Sequence, residues 1–385
     1  MYNVYQHWDP LNVCVVGRSY PPEFYSWINN PILRTRFETL AQETEEDYQN
    51  LIKLLTVNFG ITVLRPNLPS SFESLYIDNR WVAPPTVPRD YFSVIGSDLW
   101  VPDTPNHNHA WGNFYKKWKK DEWDWYTSPI GFIKKYPALK NEMTVAFDQY
   151  SQIDYRHFEK RLSFYDNIFS HMQMQGNKII KTDLDFITGC FVSRIGKNLY
   201  FSTQSYYDDH NNLQSIIDKQ FPDNVNRIVD SQGHGDAVYC PIKPGLIVSL
   251  CDVPTYANTF PGWEVVYLPP SDYNQTEKFK LSMKHNQGRW FIPGFESNPS
   301  LMNLVDFYFN DWVGQASETV FDVNILVINE QNIISTNTNV LLEDACRRHG
   351  INLHISPFRH KHFWDCGIHC ITNDLSRTGQ QKNYF

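Results

Sequence analysis

Short strand-like segments recur along the whole of this 385-residue chain, and they constrain its fold more than any other feature. Most are rich in Val, Ile, Tyr or Phe and are bounded by Gly, Pro, Asn or Asp. Helical patterns lie between several of them, as in Glu43–Asn58 and Val340–Gly350, where apolar residues have helical spacing. Alternating strands and helices predict an α/β fold. The predicted strands are Val13–Val16, Ile61–Leu64, Phe92–Ile95, Leu199–Phe201, Ala237–Cys240, Leu246–Leu250, Glu264–Leu268 and Asn324–Ile328.

The domain organisation is predicted to be simple. No Gly/Ser-rich linker or block of charge divides the chain, so residues 1–385 are expected to form one domain. The stretch Asn79–Pro129 is rich in Trp, Pro and Asp and has no clear periodicity, which indicates long ordered loops. The recurrence of strand–helix units is a hint of internal pseudo-symmetry.

Composition excludes some classes of partner. The formal net charge of −8 argues against a nucleic-acid backbone, which would favour a basic face. No apolar run reaches the ~18 residues of a membrane helix, and the N-terminal residues lack signal-peptide character. We therefore expect a cytoplasmic protein with no membrane partner, and leave a homodimer open. The seven cysteines have no regular spacing, which is typical of free thiols in a reducing compartment.

Polar residues cluster at the ends of predicted strands. Asp90 comes just before one strand, and Asp183 and Asp185 stand between an apolar run and a glycine. His234 and Asp236 precede a predicted hairpin, where strand alternation would direct both side chains to the same side. Any one of these segments alone is explained by a solvated strand edge. Together they predict a polar pocket.

The C-terminal segment "GIHCITNDLSRTG" places a histidine directly before a cysteine. One hypothesis is a nucleophilic thiol. The other is a zinc site, although the spacing matches none of the paired-ligand patterns. The residues available to the zinc site are His354, His360, His362, Cys366, His369 and Cys370.

Six segments together resemble the amidinotransferases, enzymes that move the amidino group of arginine onto an amine. In chain order they are "HWDPLNVCVVGR", "VPRDYFSVIG", "TDLDFITG", "HGDAVYCPIKPGLIVS", "FDVNILVIN" and "HCITNDLSRTG", and they span Trp8 to Gly379. The first and last are the specific ones. The H-x-D triplet is shared with arginine deiminases and related guanidine-modifying enzymes. The resemblance implies a five-bladed α/β propeller with the active site in its central channel.

The chemistry of these enzymes accounts for the residue types. A guanidinium is a planar cation and a poor electrophile, so carboxylates must bind and orient it. A thiolate attacks its central carbon, and a histidine protonates the leaving amine and later deprotonates the acceptor. The expected partners are therefore a guanidino donor and an amine acceptor, and neither a metal nor another cofactor is needed.

The resemblance assigns roles by motif position. Cys370 corresponds to the nucleophile, His234 to the general acid and base, and Asp185 to the carboxylate partner of that histidine. Asp183, the earlier acidic residue, ranks below Asp185, and His369 has no catalytic role. The substrate-binding positions correspond to Asp90, Asp236 and Ser317.

Three departures affect the substrate end of the predicted site. Val253 stands where an arginine commonly holds the carboxylate of the donor, and Ser317-Glu318 replaces a Ser-Ser pair. The segment Trp364–Ile368 replaces a glycine-rich stretch. The alternative to a transferase is a guanidine hydrolase of the arginine deiminase or dihydrolase type, in which water attacks the same intermediate. The C-terminal T-x-D-x-x-R-x-G pattern favours transfer.

Overall fold

The computed structural model describes residues 1–103, 155–203, 210–231, 234–250, 256–268, 292, 294–295, 298–309, 312 and 322–385. Short strands run through all the longer described ranges. Their bounds are β1 Leu11–Val16, β2 Thr62–Leu64, β3 Tyr76–Ile77, β4 Arg80–Trp81, β5 Ser93–Ile95, β6 Asp98–Pro102, β7 Lys178–Thr182, β8 Val192–Ile195, β9 Asn198–Thr203, β10 Val225–Asp230, β11 Tyr239–Lys243, β12 Leu246–Ser249, β13 Glu264–Tyr267, β14 Leu326–Asn329, β15 Asn332–Ser335, β16 Asn352–Ile355 and β17 Thr372–Arg377.

Two of the helices show clear capping residues. Asn30 precedes the longest helix, and its side chain accepts the backbone N–H groups of Ile32 and Leu33. Gly350 ends another helix with φ +65°, a left-handed conformation that favours glycine. The α-helices whose bounds fall within the described ranges are α1 Pro31–Lys53, α2 Asp166–Met174, α3 His210–Gln220, α4 Tyr256–Thr259, α5 Pro299–Tyr308, α6 Val340–His349 and α7 Lys361–Trp364.

Five three-stranded sheets share one pattern of strand pairing. In each, the central strand pairs antiparallel with one neighbour and parallel with the other. A helix lies in the chain between the two parallel strands, as α1 does between β1 and β2. The recurrence of strand–helix units in the sequence thus corresponds to a repeated pattern of strand pairing. The strand orders are β17-β1-β2, β5-β6-β7, β10-β9-β8, β11-β12-β13 and β14-β15-β16, with β3-β4 as a separate pair.

Burial along the whole length of a strand accounts for the apolar sequences of strands such as β12. All four residues of β12 and all six of β17 are buried, so neither strand has a solvated face. The six residues of β17 nevertheless read Thr-Asn-Asp-Leu-Ser-Arg, which places polar groups in the interior. Those groups form the ionic cluster described below.

The sequence predictions of the fold are confirmed in outline and corrected in detail. All eight predicted strands overlap observed ones, and the α/β class is confirmed. Helix α1 begins earlier than the predicted Glu43 because Asn30 caps it and Pro31 occupies its first turn. The expectation of loops over Asn79–Pro129 is wrong up to residue 103, where β4, β5 and β6 occur, and residues 104–154 lie outside the described ranges. The single domain stays a prediction.

Two further expectations concern membrane-spanning helices and disulfide bonds. In the part of the chain that the structure describes, no helix has both the length and the hydrophobicity of a membrane span. Six cysteines lie in that part, and all six are buried free thiols, as expected for a chain without a disulfide framework.

Candidate active site

Cys370 lies in the turn that leads into β17, with its side chain 2% exposed. Asn324, just before β14, holds it at two points. The Asn324 Nδ2 group donates to Cys370 Sγ at 3.0 Å, and Asn324 Oδ1 accepts the Cys370 backbone N–H at 3.0 Å. Both the position of the sulfur and its lone-pair environment therefore depend on one amide side chain.

Asn324 is a residue that the sequence prediction missed. It is fully buried, and its Nδ2 group also reaches the carbonyl oxygen of Asp236 at 3.2 Å. A Cβ atom on Gly367 would lie 2.7 Å from Asn324, so the backbone approaches this amide at a distance that suits only glycine. The available signal was a polar residue at the start of an apolar strand in "FDVNILVIN".

Asp236 lies beside the thiol. Its Oδ2 atom is 3.5 Å from Cys370 Sγ and 2.8 Å from His369 Nδ1. Burial lowers the pKa of His369 well below the usual value, and the charge of Arg89 adds to this effect. The His369 ring is thus neutral at pH 7, and its Nδ1–H donates to the carboxylate and orients it. His369 thus holds Asp236 in place, and the absence of a catalytic role for His369 stays a prediction.

His234 and Asp236 do not lie on a strand, which corrects the alternation argument. His234 precedes the 3₁₀ turn Gly235–Ala237, and Asp236 lies inside it. A Cβ on Gly235 would overlap Ser202 Oγ, so the turn is held close to β9 at a position that requires glycine. The His234 ring contacts Phe191 edge-on, with 4.7 Å between ring centroids.

A second group of polar atoms lies next to this turn. One side-chain ligand atom from each of Asp90, Cys190 and His234 lies within 4.8 Å of the other two. Asp90 ends the 3₁₀ turn Pro88–Asp90, and Cys190 lies shortly before β8. The structure therefore brings Asp90 and His234 together, as expected of residues that share a pocket.

The two groups adjoin each other. The backbone N–H of Asp236 donates to the carbonyl oxygen of Cys190 at 3.3 Å, and a small cavity is lined by Cys190, Asp236 and His369 among others. Burial raises the pKa of the Cys190 thiol to about 12, although His234 acts in the opposite direction. Cys190 is therefore protonated at neutral pH.

A buried ionic cluster adjoins the turn that contains His369 and Cys370. The Asp374 carboxylate accepts from Arg89 at 3.0 Å, from Arg194 at 2.8 Å and from Arg377 at 2.8 Å. All four side chains are at most 2% exposed. Burial alone would raise the pKa of Asp374, but the charges of Arg194, Arg377 and Arg89 outweigh it and hold the pKa well below the usual value. Arg89 Nε also donates to the carbonyl oxygen of His369 at 2.8 Å.

The same cluster joins four of the three-stranded sheets. Arg194 belongs to β8 and donates to the carbonyl oxygen of Val94 in β5. Arg377 belongs to β17 and donates to the carbonyl oxygen of Val327 in β14 at 2.8 Å. The Asp and Arg of the T-x-D-x-x-R-x-G pattern thus have a structural role that the sequence did not reveal.

Of the predicted site residues, Asp185 is described only in its backbone and Ser317 is not described. Asp185 begins the 3₁₀ turn Asp185–Ile187, which is attached to β5 by a bond from Ser93 Oγ to the Ile187 carbonyl oxygen at 2.6 Å. The Asp185 side chain is not among the described parts, and Asp183 is exposed. Ser317 and Val253 lie outside the described residues. Their roles stay predictions.

The zinc hypothesis for the C-terminal segment is wrong as stated. His354 contacts Asn332, His360 contacts Glu43, and His369 contacts Asp236, so these side chains face different neighbours. Across the described ranges, the His, Cys, Asp and Glu side chains that converge closely enough to hold a metal ion are Asp90, Cys190 and His234.

Two solved structures are similar to this chain over its whole length. SxtG, an amidinotransferase of the saxitoxin biosynthetic pathway of Microseira wollei, has a TM-score of 0.60 and 15% sequence identity, covering 100% of this chain and 99% of SxtG. Inosamine-phosphate amidinotransferase StrB1 from Streptomyces griseus has a TM-score of 0.59 and 14% identity, with coverage of 100% and 99%. The N-terminal domain of ArgZ, an arginine dihydrolase of cyanobacteria, has a TM-score of 0.49 and 10% identity, with coverage of 95% and 98%. Neither the protein-family models nor the curated protein sequences contain a match. The chain therefore has the α/β fold of the SxtG and StrB1 amidinotransferases.

Proposed function

We propose that this protein is an amidinotransferase that carries the amidino group on Cys370. The observation that carries the proposal is the contact between Cys370 Sγ and Asp236 Oδ2 at 3.5 Å, with Asn324 Nδ2 donating to the same sulfur. A carboxylate at that distance from the sulfur binds the N–H groups of a guanidinium and places its central carbon within reach of the thiolate. The fold shared with two amidinotransferases supports the same assignment.

The first half-reaction forms a carbon–sulfur bond and breaks a carbon–nitrogen bond. The Cys370 thiolate attacks the central carbon of the donor, which we propose to be arginine, and the donor amine leaves after His234 gives it a proton. In the second half, an acceptor amine attacks the amidino carbon, His234 takes the proton from that amine, and the thiolate leaves. The proton count balances over the cycle, and neither half requires a metal or an organic cofactor.

Asp90, Asp236 and Asp185 complete the proposed site. Asp90 lies beside His234, and its proposed role is to bind the guanidinium N–H groups that Asp236 does not reach. Asp185 is proposed to orient His234, and Ser317 to contact the substrate.

We further propose that the five three-stranded sheets are blades of a pseudo-symmetric propeller. Two features support this arrangement: the shared strand order of the sheets, and the Asp374 cluster, in which Arg194 and Arg377 link four of the sheets. In such a fold the strand ends meet near a common axis, which explains how residues 280 positions apart in sequence, Arg89 and His369, come into contact.

Replacing His234 with alanine should lower kcat by at least ~10²-fold, the usual scale for a general acid and base. The leaving amine would depart without a proton donor, and the acceptor would lack a base. Steady-state kinetics with saturating donor and acceptor measures this effect. His349→Ala is the matched control, since His349 is paired with Glu264 on the helix α6 surface and should retain wild-type turnover. A His234→Ala enzyme within a few-fold of wild type would exclude the role.

Release of ornithine from arginine should depend on an added primary amine. Cys370 is nearly inaccessible, so the amidino intermediate is shielded from water until an acceptor binds. Quantification of ornithine and of the new guanidino product should give equal amounts. Ornithine should also inhibit by reversing the first half-reaction, as expected of a ping-pong scheme.

A tertiary amine of similar basicity provides the control for this experiment, because it cannot yield a stable guanidino product. Arginine consumption without any amine, with citrulline or ammonia as product, would contradict transfer and establish the hydrolase alternative. The same outcome would leave the nucleophilic role of Cys370 intact, since both reactions use it.

A further inference from the structure

The group formed by Asp90, Cys190 and His234 has the composition of a metal site. Two of its members, Asp90 and His234, also belong to the proposed substrate site. A thiolate sulfur, an imidazole nitrogen and a carboxylate oxygen are the three ligand types that Zn²⁺ takes in proteins. Their ligand atoms already lie within 4.8 Å of one another. Tetrahedral zinc with bonds of ~2.0–2.3 Å would require them to close by only about 1 Å.

The backbone around these residues is closely held. A Cβ on Gly189 would meet the Arg89 side chain at 2.8 Å, so the segment carrying Cys190 lies directly against the residue that precedes Asp90. Gly235, which follows His234, has the close contact with Ser202 described above. These two close glycine contacts hold the backbone segments that carry Cys190 and His234 in place.

Neighbouring groups orient two of the ligands. Thr188 Oγ1 lies 3.1 Å from Cys190 Sγ, where its hydroxyl can donate to a metal-bound thiolate. Phe191 fixes the plane of the His234 ring. Cys190 is buried whereas Asp90 and His234 are half-buried, so the last two side chains keep partial contact with solvent. Water would complete the coordination of a metal ion held by the three residues.

We propose that Asp90, Cys190 and His234 form a binding site for Zn²⁺, and that zinc bound there excludes the guanidino substrate. Coordination replaces the proton of the Cys190 thiol with the metal and releases that proton to solvent. The exclusion rests on the proposed function, because it assumes that Asp90 and His234 serve the substrate. The binding does not rest on it.

Titration with Co²⁺, a spectroscopic substitute for zinc, tests the binding directly. Wild-type protein and Cys370→Ser should both develop a thiolate-to-cobalt charge-transfer band, and Cys190→Ser should not. Competition with a chromophoric chelator should show that Cys190→Ser weakens zinc binding at least ~10-fold. If Cys190→Ser does not fold, His234→Gln gives the second test, with the same loss of cobalt affinity expected.

Two outcomes would overturn the site. One is the absence of the band in wild-type protein. The other is a band that persists in Cys190→Ser and disappears in Cys370→Ser, which would make the nucleophile the metal ligand.

Inhibition is tested separately with Zn²⁺ in the transfer assay. Zinc should inhibit wild-type protein competitively against the guanidino donor, and EDTA should restore full activity. Cys190→Ser should keep its basal activity and become at least ~10-fold less sensitive to zinc. Equal sensitivity of wild type and Cys190→Ser would overturn the exclusion. A cobalt band in a protein without transfer activity would instead sustain the metal site and count against the proposed function.

Discussion

Replacing Cys370 with serine should reduce turnover by at least ~10³-fold, as removal of a catalytic nucleophile does in other enzymes. The serine hydroxyl is isosteric enough to keep the bond from Asn324, but it is a far weaker acid than a thiol and is therefore a much poorer nucleophile at neutral pH. The Asp236 carboxylate would remain, so donor binding should change less than kcat. Initial rates over a range of donor concentrations separate the two effects.

Cys346→Ser is the matched control. Cys346 is a buried free thiol in helix α6, outside the candidate site. This variant should show wild-type kinetics per folded molecule. Retained turnover in Cys370→Ser would remove the nucleophile from the proposal.

The second large effect is expected on stability. Asp374→Asn should lower the free energy of unfolding by about 3–5 kcal/mol, the range observed when one member of a buried ionic cluster is removed. Asparagine keeps the shape but leaves Arg89, Arg194 and Arg377 without a buried negative charge. Urea denaturation followed by fluorescence measures the change. Asp344→Asn is the control, because Asp344 also pairs with two arginines but does so on the surface, where such pairs contribute little.

The pH dependence provides a second readout of the Asp374 cluster. The folded-state pKa of Asp374 lies below the usual carboxyl value, so its stabilisation is complete above that usual value and is lost as the pH falls through the folded-state pKa. Asp374→Asn lacks this contribution, so its stability should fall less steeply in acid than that of wild-type protein. Equal unfolding free energies for Asp374→Asn and Asp344→Asn would contradict the supporting role of the cluster.

Local patterns were sufficient for much of the fold. Strands such as β12 are apolar along their length because both faces are buried, and they are visible in the sequence. Strands β15 and β16 were not predicted, because Asn332–Ser335 and Asn352–Ile355 carry polar residues that pair with each other across the sheet. A segment whose polar groups are satisfied by a distant neighbour has no local signature of a strand.

The sequence predicted the main residues of the candidate site but not the residues that hold them in place. The resemblance to the amidinotransferases led to Cys370, Asp236, Asp90 and His234, and the structure places them in two adjoining groups. Asn324 was missed because a single amide at the start of a strand resembles a boundary residue.

The ionic cluster was missed because its members are far apart in the chain. Arg89 and Arg194 lie 285 and 180 residues from Asp374, respectively. The local patterns of a single sequence contain no information on ion pairs between residues so far apart. The T-x-D-x-x-R-x-G pattern was therefore interpreted as a signature of transfer, although its Asp374 and Arg377 are buried and form part of the structural support.

The most direct test of the account is the mass of the intact protein after mixing with arginine in the absence of any acceptor amine. A covalent amidino-cysteine adds ~42 Da, the mass of the transferred group less the displaced proton. We predict this increase in wild-type protein, its location on the peptide that contains Cys370, and its disappearance on addition of a primary amine. No increase should occur in Cys370→Ser. Turnover of arginine without an adduct on Cys370, or an adduct on a different cysteine such as Cys190, would contradict the account.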